Sequence, residues 1–140
     1  MKTNIYKIVL VIIAATFGII YIKNTIEKEN DMLQKNHAVQ KCLIRDVKSL
    51  RAAWGIYFTI NDNGKEYYNI QNAPLIACSI EYLDEFANLV INKSLYIVYE
   101  RGNPKNNKVI TNFSEAQSYN IKLNGGDSAL LNAISNICDK

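Results

Sequence analysis

The chain of 140 residues carries 16 Lys and Arg against 13 Asp and Glu, a net charge of +3, with both signs interspersed along it. So weak and scattered a balance, with Arg45, Arg51 and Arg101 its only arginines, argues against a nucleic-acid footprint, which needs clustered cations. The length admits one small domain besides an N-terminal segment, and the roughly 117 residues beyond the first 23 suffice to bury a core.

The first element is an apolar run, Ile8 to Ile22, without a charged residue. It is near the lower limit of about 17 to 25 residues for a spanning helix, and Lys7 and Lys23 extend it by snorkelling toward the headgroups. A cleaved signal would place small residues after the run. The bulky Ile19, Ile20, Tyr21 and Ile22 stand there instead, so an uncleaved anchor is predicted. Lys2 and Lys7 precede the span, while Glu27, Glu29 and Asp31 dilute the cations after it. This bias places the N-terminus in the cytoplasm and the rest outside. Residues 1–23 form the anchor in this reading and 24–140 a periplasmic head. Ile8, Val11, Ile12, Ala15, Gly18, Ile19 and Ile22 offer a surface to other membrane helices, with Gly18 permitting close approach.

No proline occurs between Ile5 and Phe58, and Val39, Leu43, Val47, Leu50 and Trp54 recur at steps of three and four. That spacing predicts a continuing amphipathic helix of some fifty residues, about 75 Å long, whose second half packs on the head. Asn61 to Gly64 is a turn signal and Tyr67 to Ala73 reads as loop. Pro74 opens a second helix through Ile76, Ile80, Leu83, Phe86 or Ala87, and Val90, with Cys78 in its first turns. Strand alternation follows at Leu95 to Glu100, then a loop GNPKNNK, a returning strand Val109 to Phe113, a turn at Ser114 to Ser118 and a third strand Tyr119 to Leu123. Gly125 and Gly126 break that strand, and Asp127 or Ser128 caps a last helix with Leu130, Leu131, Ile134 and Ile137 on one face. The expected fold is α+β: a long helix, a small antiparallel sheet, a second helix and a C-terminal helix.

Constellations for catalysis are thin, and no enzyme is predicted. His37, the only histidine, lies in the polar part of the expected helix as a solvated residue, so a cysteine nucleophile lacks a base. Asp84 and Glu85 are adjacent and point apart on a helix. NGGD at Asn124 to Asp127 lacks the lysine and hydroxyl of a phosphate loop and reads as a helix cap. NKS at Asn92 and NFS at Asn112 fit the short glycosylation pattern. No metal, cofactor or small-molecule substrate is implied. Among the nine tyrosines, Tyr96, Tyr99 and Tyr119 read as half-buried sheet residues rather than a binding face. Cys42, Cys78 and Cys138 make an odd set, leaving three possible pairings in an oxidising compartment, or three buried thiols in a reducing one.

An apolar half-helix running into an amphipathic half, ending in DVKSLRAAWGIYFTINDNG at Asp46 to Gly64, resembles the plan of type IV pilins. APLIACSIEYLDEFANLVINKSLYIV is similar to the second helix and next strand of type IVb pilins. The resemblance implies a disulfide between Cys78 and Cys138, worth roughly 4 kcal/mol for a loop of about sixty residues, with Cys42 left as a thiol. It implies a non-catalytic structural subunit of a pilus, secretion or conjugation apparatus, in the bacterial inner membrane or, within a fibre, outside the cell. Its partners would be other pilin-like or assembly subunits, reached through the N-terminal helix. The family's prepilin-peptidase glycine and span glutamate have no counterpart here, which points to a minor or membrane-retained subunit. A membrane-anchored periplasmic adaptor that never enters a filament is the alternative.

Overall fold

The computed structural model describes residues 2–50, 53–73 and 82–138. Helix α1 (Lys2–Lys35) is followed by strands β1 (His37–Leu50), β2 (Ala53–Asp62) and β3 (Lys65–Ala73), helix α2 (Leu83–Val90), strands β4 (Ser94–Glu100) and β5 (Asn103–Val109), and helices α3 (Phe113–Ser118) and α4 (Gly125–Cys138). The architecture is thus α+β, with a long N-terminal helix, a five-stranded antiparallel sheet and further helices including a C-terminal one.

The expected amphipathic half of the long helix is corrected. The helix stops at Lys35, and Val39, Leu43, Val47 and Leu50 lie on β1 while Trp54 lies on β2. The reason is a β-bulge. Cys42 and Ile44 are buried at strand spacing, the register against β2 shifts between Ile44 and Asp46, and the next buried residue is Val47. One extra residue converts a period of two into steps that mimic three and four. Val39, on the opposite face, remains 40% exposed. Ile56, Phe58 and Ile60 on β2 show the plain alternation, all fully buried.

β2 and β3 join through Asn63 (φ 53) and Gly64 (φ 78). Both central residues are left-handed, as a tight hairpin of matching twist demands. Tyr67 to Ala73, expected as loop, is therefore a strand. β5 replaces the expected GNPKNNK loop, Phe113 to Ser118 is helical, and Tyr119 to Leu123 forms no strand. The expected second helix is described from Leu83 onward; Pro74, Ile76, Cys78 and Ile80 lie outside the described residues, and with Cys78 the expected bridge to Cys138. Cys42 is a free, buried thiol, and burial pushes it up to about 11.

The sheet order is β3-β2-β1-β4-β5, and its two edges curl toward each other. With every neighbour antiparallel, β3 and β5 run the same way, and the Gln71 side chain on β3 accepts a hydrogen bond from the Val109 N–H on β5. A long first strand shared by both halves, a helix between the third and fourth strands, and a narrow opening between the third and fifth make a curled five-stranded sheet that nearly closes on itself as a barrel. On these two edge strands, Asn69 Nδ2 on β3 and Asn107 Oδ1 on β5 are buried without a hydrogen-bond partner among the described residues. Because an orphaned buried donor costs about 1 to 3 kcal/mol, Asn69→Leu is expected to raise stability by about 1 kcal/mol in urea unfolding of the full chain. A loss of similar size would mean that the Asn69 amide finds a partner in solution.

Candidate membrane helix and docking face

From Tyr6 to Ile22, no side chain of α1 is buried among the described residues. Its large apolar side chains are exposed, from 46% at Val9 to 74% at Tyr21, and a Cβ added at Gly18 would meet no atom within 4 Å. The predicted association residues Ile8, Val11, Ile12, Ile19 and Ile22 lie on this bare cylinder with Ala15 and Gly18. A surface so apolar is unstable in water. Among the described residues, α1 is one helix long and apolar enough to cross a membrane, as an anchor or as a signal sequence.

The far end of α1 is held by the head. Leu33 is 3% exposed, within the core. The Asn36 N–H donates to Met32 O (3.0 Å), and Asn36 Nδ2 and the Arg101 N–H exchange hydrogen bonds with each other's backbone carbonyls at 3.3 and 3.0 Å. Arg101 Nε donates to His37 O at 3.1 Å. Instead of sitting solvated on a helix, His37 opens β1, edge-on to the Tyr119 ring at 5.3 Å. Asn106 Nδ2 on β5 reaches the Glu29 carbonyl at 2.9 Å.

The two halves of the sheet are covered unequally. On β4, Leu95, Ile97, Val98 and Tyr99 are all buried, so both its faces are packed. α4 adjoins it where Leu130 and Leu131 line a small cavity with Leu95 and Tyr96, and Leu131, Ile134 and Ile137 of α4 are buried in the core. On β2 and β3 no described element covers the outer face, where Tyr57 and Thr59 are half-buried. Tyr57 pairs with Ile70 and Thr59 with Tyr68; Tyr68 is 84% exposed and Ile70 51%. Lys48 Nζ lies 5.4 Å from the centre of the Tyr57 ring and 2.7 Å from Asp46, giving the patch a polar rim. The expectation of a loop at Tyr67 to Ala73 hides this face, although the alternation of Tyr68, Asn69 and Ile70 is its signal in the sequence.

The remaining polar clusters fasten the fold. Asp127, buried at the start of α4, accepts from Lys41 Nζ on β1 and from the Tyr96 hydroxyl on β4 (3.1 Å). Its N–H donates to Asn124 Oδ1 at 2.9 Å, and its carboxylate accepts in return from the Asn124 N–H at 3.4 Å. This is a reciprocal capping box, so the cap is Asn124, one turn earlier than expected. Burial pushes the Asp127 carboxyl up, but hydrogen bonds from Lys41, Asn124 and Tyr96 outweigh it and hold it below the usual carboxylate range. The same contact raises Lys41. Asp62, also buried, accepts from the Tyr99 hydroxyl at 3.4 Å and the Gly102 N–H at 3.3 Å. Among the described residues, no three His, Cys, Asp or Glu side chains are grouped to hold a metal ion.

Comparison with known proteins places the chain in no established family: no family model, no curated protein and no solved structure matches it.

Proposed function

We propose that this protein is a non-catalytic adaptor: a single-pass bacterial inner-membrane protein, N-terminus cytoplasmic, that displays a periplasmic barrel head and recruits a soluble partner onto the outer face of β2 and β3. The observation that carries the reading is the pairing of an exposed apolar helix with one sheet face, around Tyr57, Tyr68 and Ile70, that no described element covers. Half-exposed aromatics on a rigid strand pair are suited to binding, because they bury much area with little side-chain entropy to lose.

A pilin-like subunit of a pilus, secretion or conjugation assembly is the second reading, favoured by the exposure of the helix along its whole apolar length. In that case the helix, and not the sheet, makes the principal contacts. Photo-crosslinking in cells from position 68, with position 122 as control, separates the two. A discrete adduct from position 68 alone supports the adaptor. A ladder at multiples of the chain's own mass, recovered with sheared fibres, supports the pilin-like subunit. No adduct above the control at position 68 overturns the docking face.

A further inference from the structure

Between the upper part of α1 and the turn joining β4 to β5 lies an open cleft of about 650 Å³, into which Tyr21, Asn24, Lys28, Glu29, Glu100 and Asn103 face. Its lining sets charged and amide side chains beside the apolar surface of Tyr21 and Met32. Glu100 Oε2 accepts from Asn103 Nδ2 at 3.1 Å and Asn106 Nδ2 at 3.0 Å, which fixes the carboxylate at the cleft wall. Among the described residues, Lys28, Glu29 and Glu100 take part in no ion pair. Three charges thus share one cleft, one positive and two negative, without neutralising partners.

Position along the helix narrows what such a cleft takes. Tyr21 closes the apolar run, and Lys28 stands six residues beyond Ile22, about 9 Å further along the axis. The headgroup layer on each side of a bilayer is about 5 to 8 Å deep. Asn24, about 3 Å beyond Ile22, therefore lies within that layer, and Glu29, about 10 Å beyond, just outside it, with Glu100 lining the same cleft.

We propose that this cleft binds the headgroup of a zwitterionic phospholipid with a primary ammonium, of the phosphatidylethanolamine type. Lys28, reaching back toward the membrane, and the Asn24 amide hold the phosphate. Glu29 and Glu100 accept from the ammonium, which sits further out in such a headgroup. A choline headgroup has no N–H to donate, and a glycerol headgroup leaves both carboxylates facing a net negative lipid. The inference rests on the membrane-anchor reading of α1.

The test is native mass spectrometry of the full chain in nanodiscs of equal phosphatidylethanolamine, phosphatidylcholine and phosphatidylglycerol, reading which lipid survives stepwise delipidation. Retention of phosphatidylethanolamine about tenfold above the other two is expected, the scale of one or two charge-assisted hydrogen bonds. Glu29→Gln with Glu100→Gln should bring the ratio to about one. Lys28→Ala, on an exposed helix position with no role in the head's core, should lower it several-fold, and Glu27→Gln should leave it unchanged. Equal retention of the three lipids by the native chain, or a preference surviving both Lys28→Ala and the double substitution, overturns the site while leaving the anchor standing. A chain that does not enter the discs overturns the anchor and the site together.

Discussion

Val11→Asp with Ala15→Asp is expected to move the protein out of the alkali-resistant membrane fraction while its head stays folded. The ten Val, Ile, Leu and Phe residues between Ile8 and Ile22 favour insertion by about 0.3 to 0.6 kcal/mol each, roughly 3 to 6 kcal/mol in all, whereas each mid-span aspartate opposes it by about 2.5 to 3.5 kcal/mol. Two aspartates reverse the sign. Because no side chain from Tyr6 to Ile22 is buried against the head, near-UV circular dichroism and thermal midpoint should match those of the native chain. Intact mass of the native membrane-bound protein completes the experiment: a full-length chain identifies an anchor, and a chain beginning near Lys23 identifies a signal sequence. A variant that remains resistant to alkali would show that the head itself holds the membrane.

Asp127→Ala is expected to lower stability by about 3 kcal/mol and the thermal midpoint by about 10 °C. The loss has separable parts. The hydrogen bond that the carboxylate accepts from the Asn124 N–H is worth about 1 kcal/mol, while the bond from the backbone N–H at 127 to Asn124 survives the substitution; the orphaned Tyr96 hydroxyl costs about 1 kcal/mol, and the Lys41 pair contributes about 1 kcal/mol, kept small because that ammonium is 39% exposed. The pH dependence identifies the carboxylate. Since folding holds Asp127 below its ordinary value, its contribution is present above the unfolded value near 4 and is lost as the pH falls through the folded one. Lys41 is raised, so its share persists until the pH climbs past the unfolded value near 10. Urea unfolding at pH 7 should therefore separate Asp127→Ala from the native chain clearly, and at pH 2.5 much less. A gap of equal size at both values would show that the effect does not depend on the charge of the carboxylate.

Some of this architecture is legible in the sequence because its signals are local. The apolar run from Ile8 to Ile22, the Asn63-Gly64 turn, the strand from Leu95 to Glu100 and the apolar face of Leu131, Ile134 and Ile137 each lie within one element and need no partner to be read. The rest depends on distant pairing. β1 is hidden by its bulge, which gives Cys42, Ile44 and Val47 an irregular spacing. β5 is written in Asn, Lys and Pro, poor strand formers, and exists because β4 offers it a ladder. The exposed face of β2 and β3 is legible only in part, in the alternation of Tyr68, Asn69 and Ile70. Tyr57 and Tyr68 become neighbours across a hairpin only once residues 65–73 are known to be a strand.

The joint at Asn36 has a mechanical consequence. A single residue separates α1 from β1, Leu33 is sunk in the core, and Asn106 grips the helix backbone at Glu29, so the helix and the barrel have no swivel between them. Any twist of the helix about its axis, imposed by a neighbour within the bilayer, sweeps the Tyr57–Tyr68 face through the same angle. In the adaptor reading the protein would work as a rigid crank, a neighbouring helix in the bilayer setting the direction in which that face is presented.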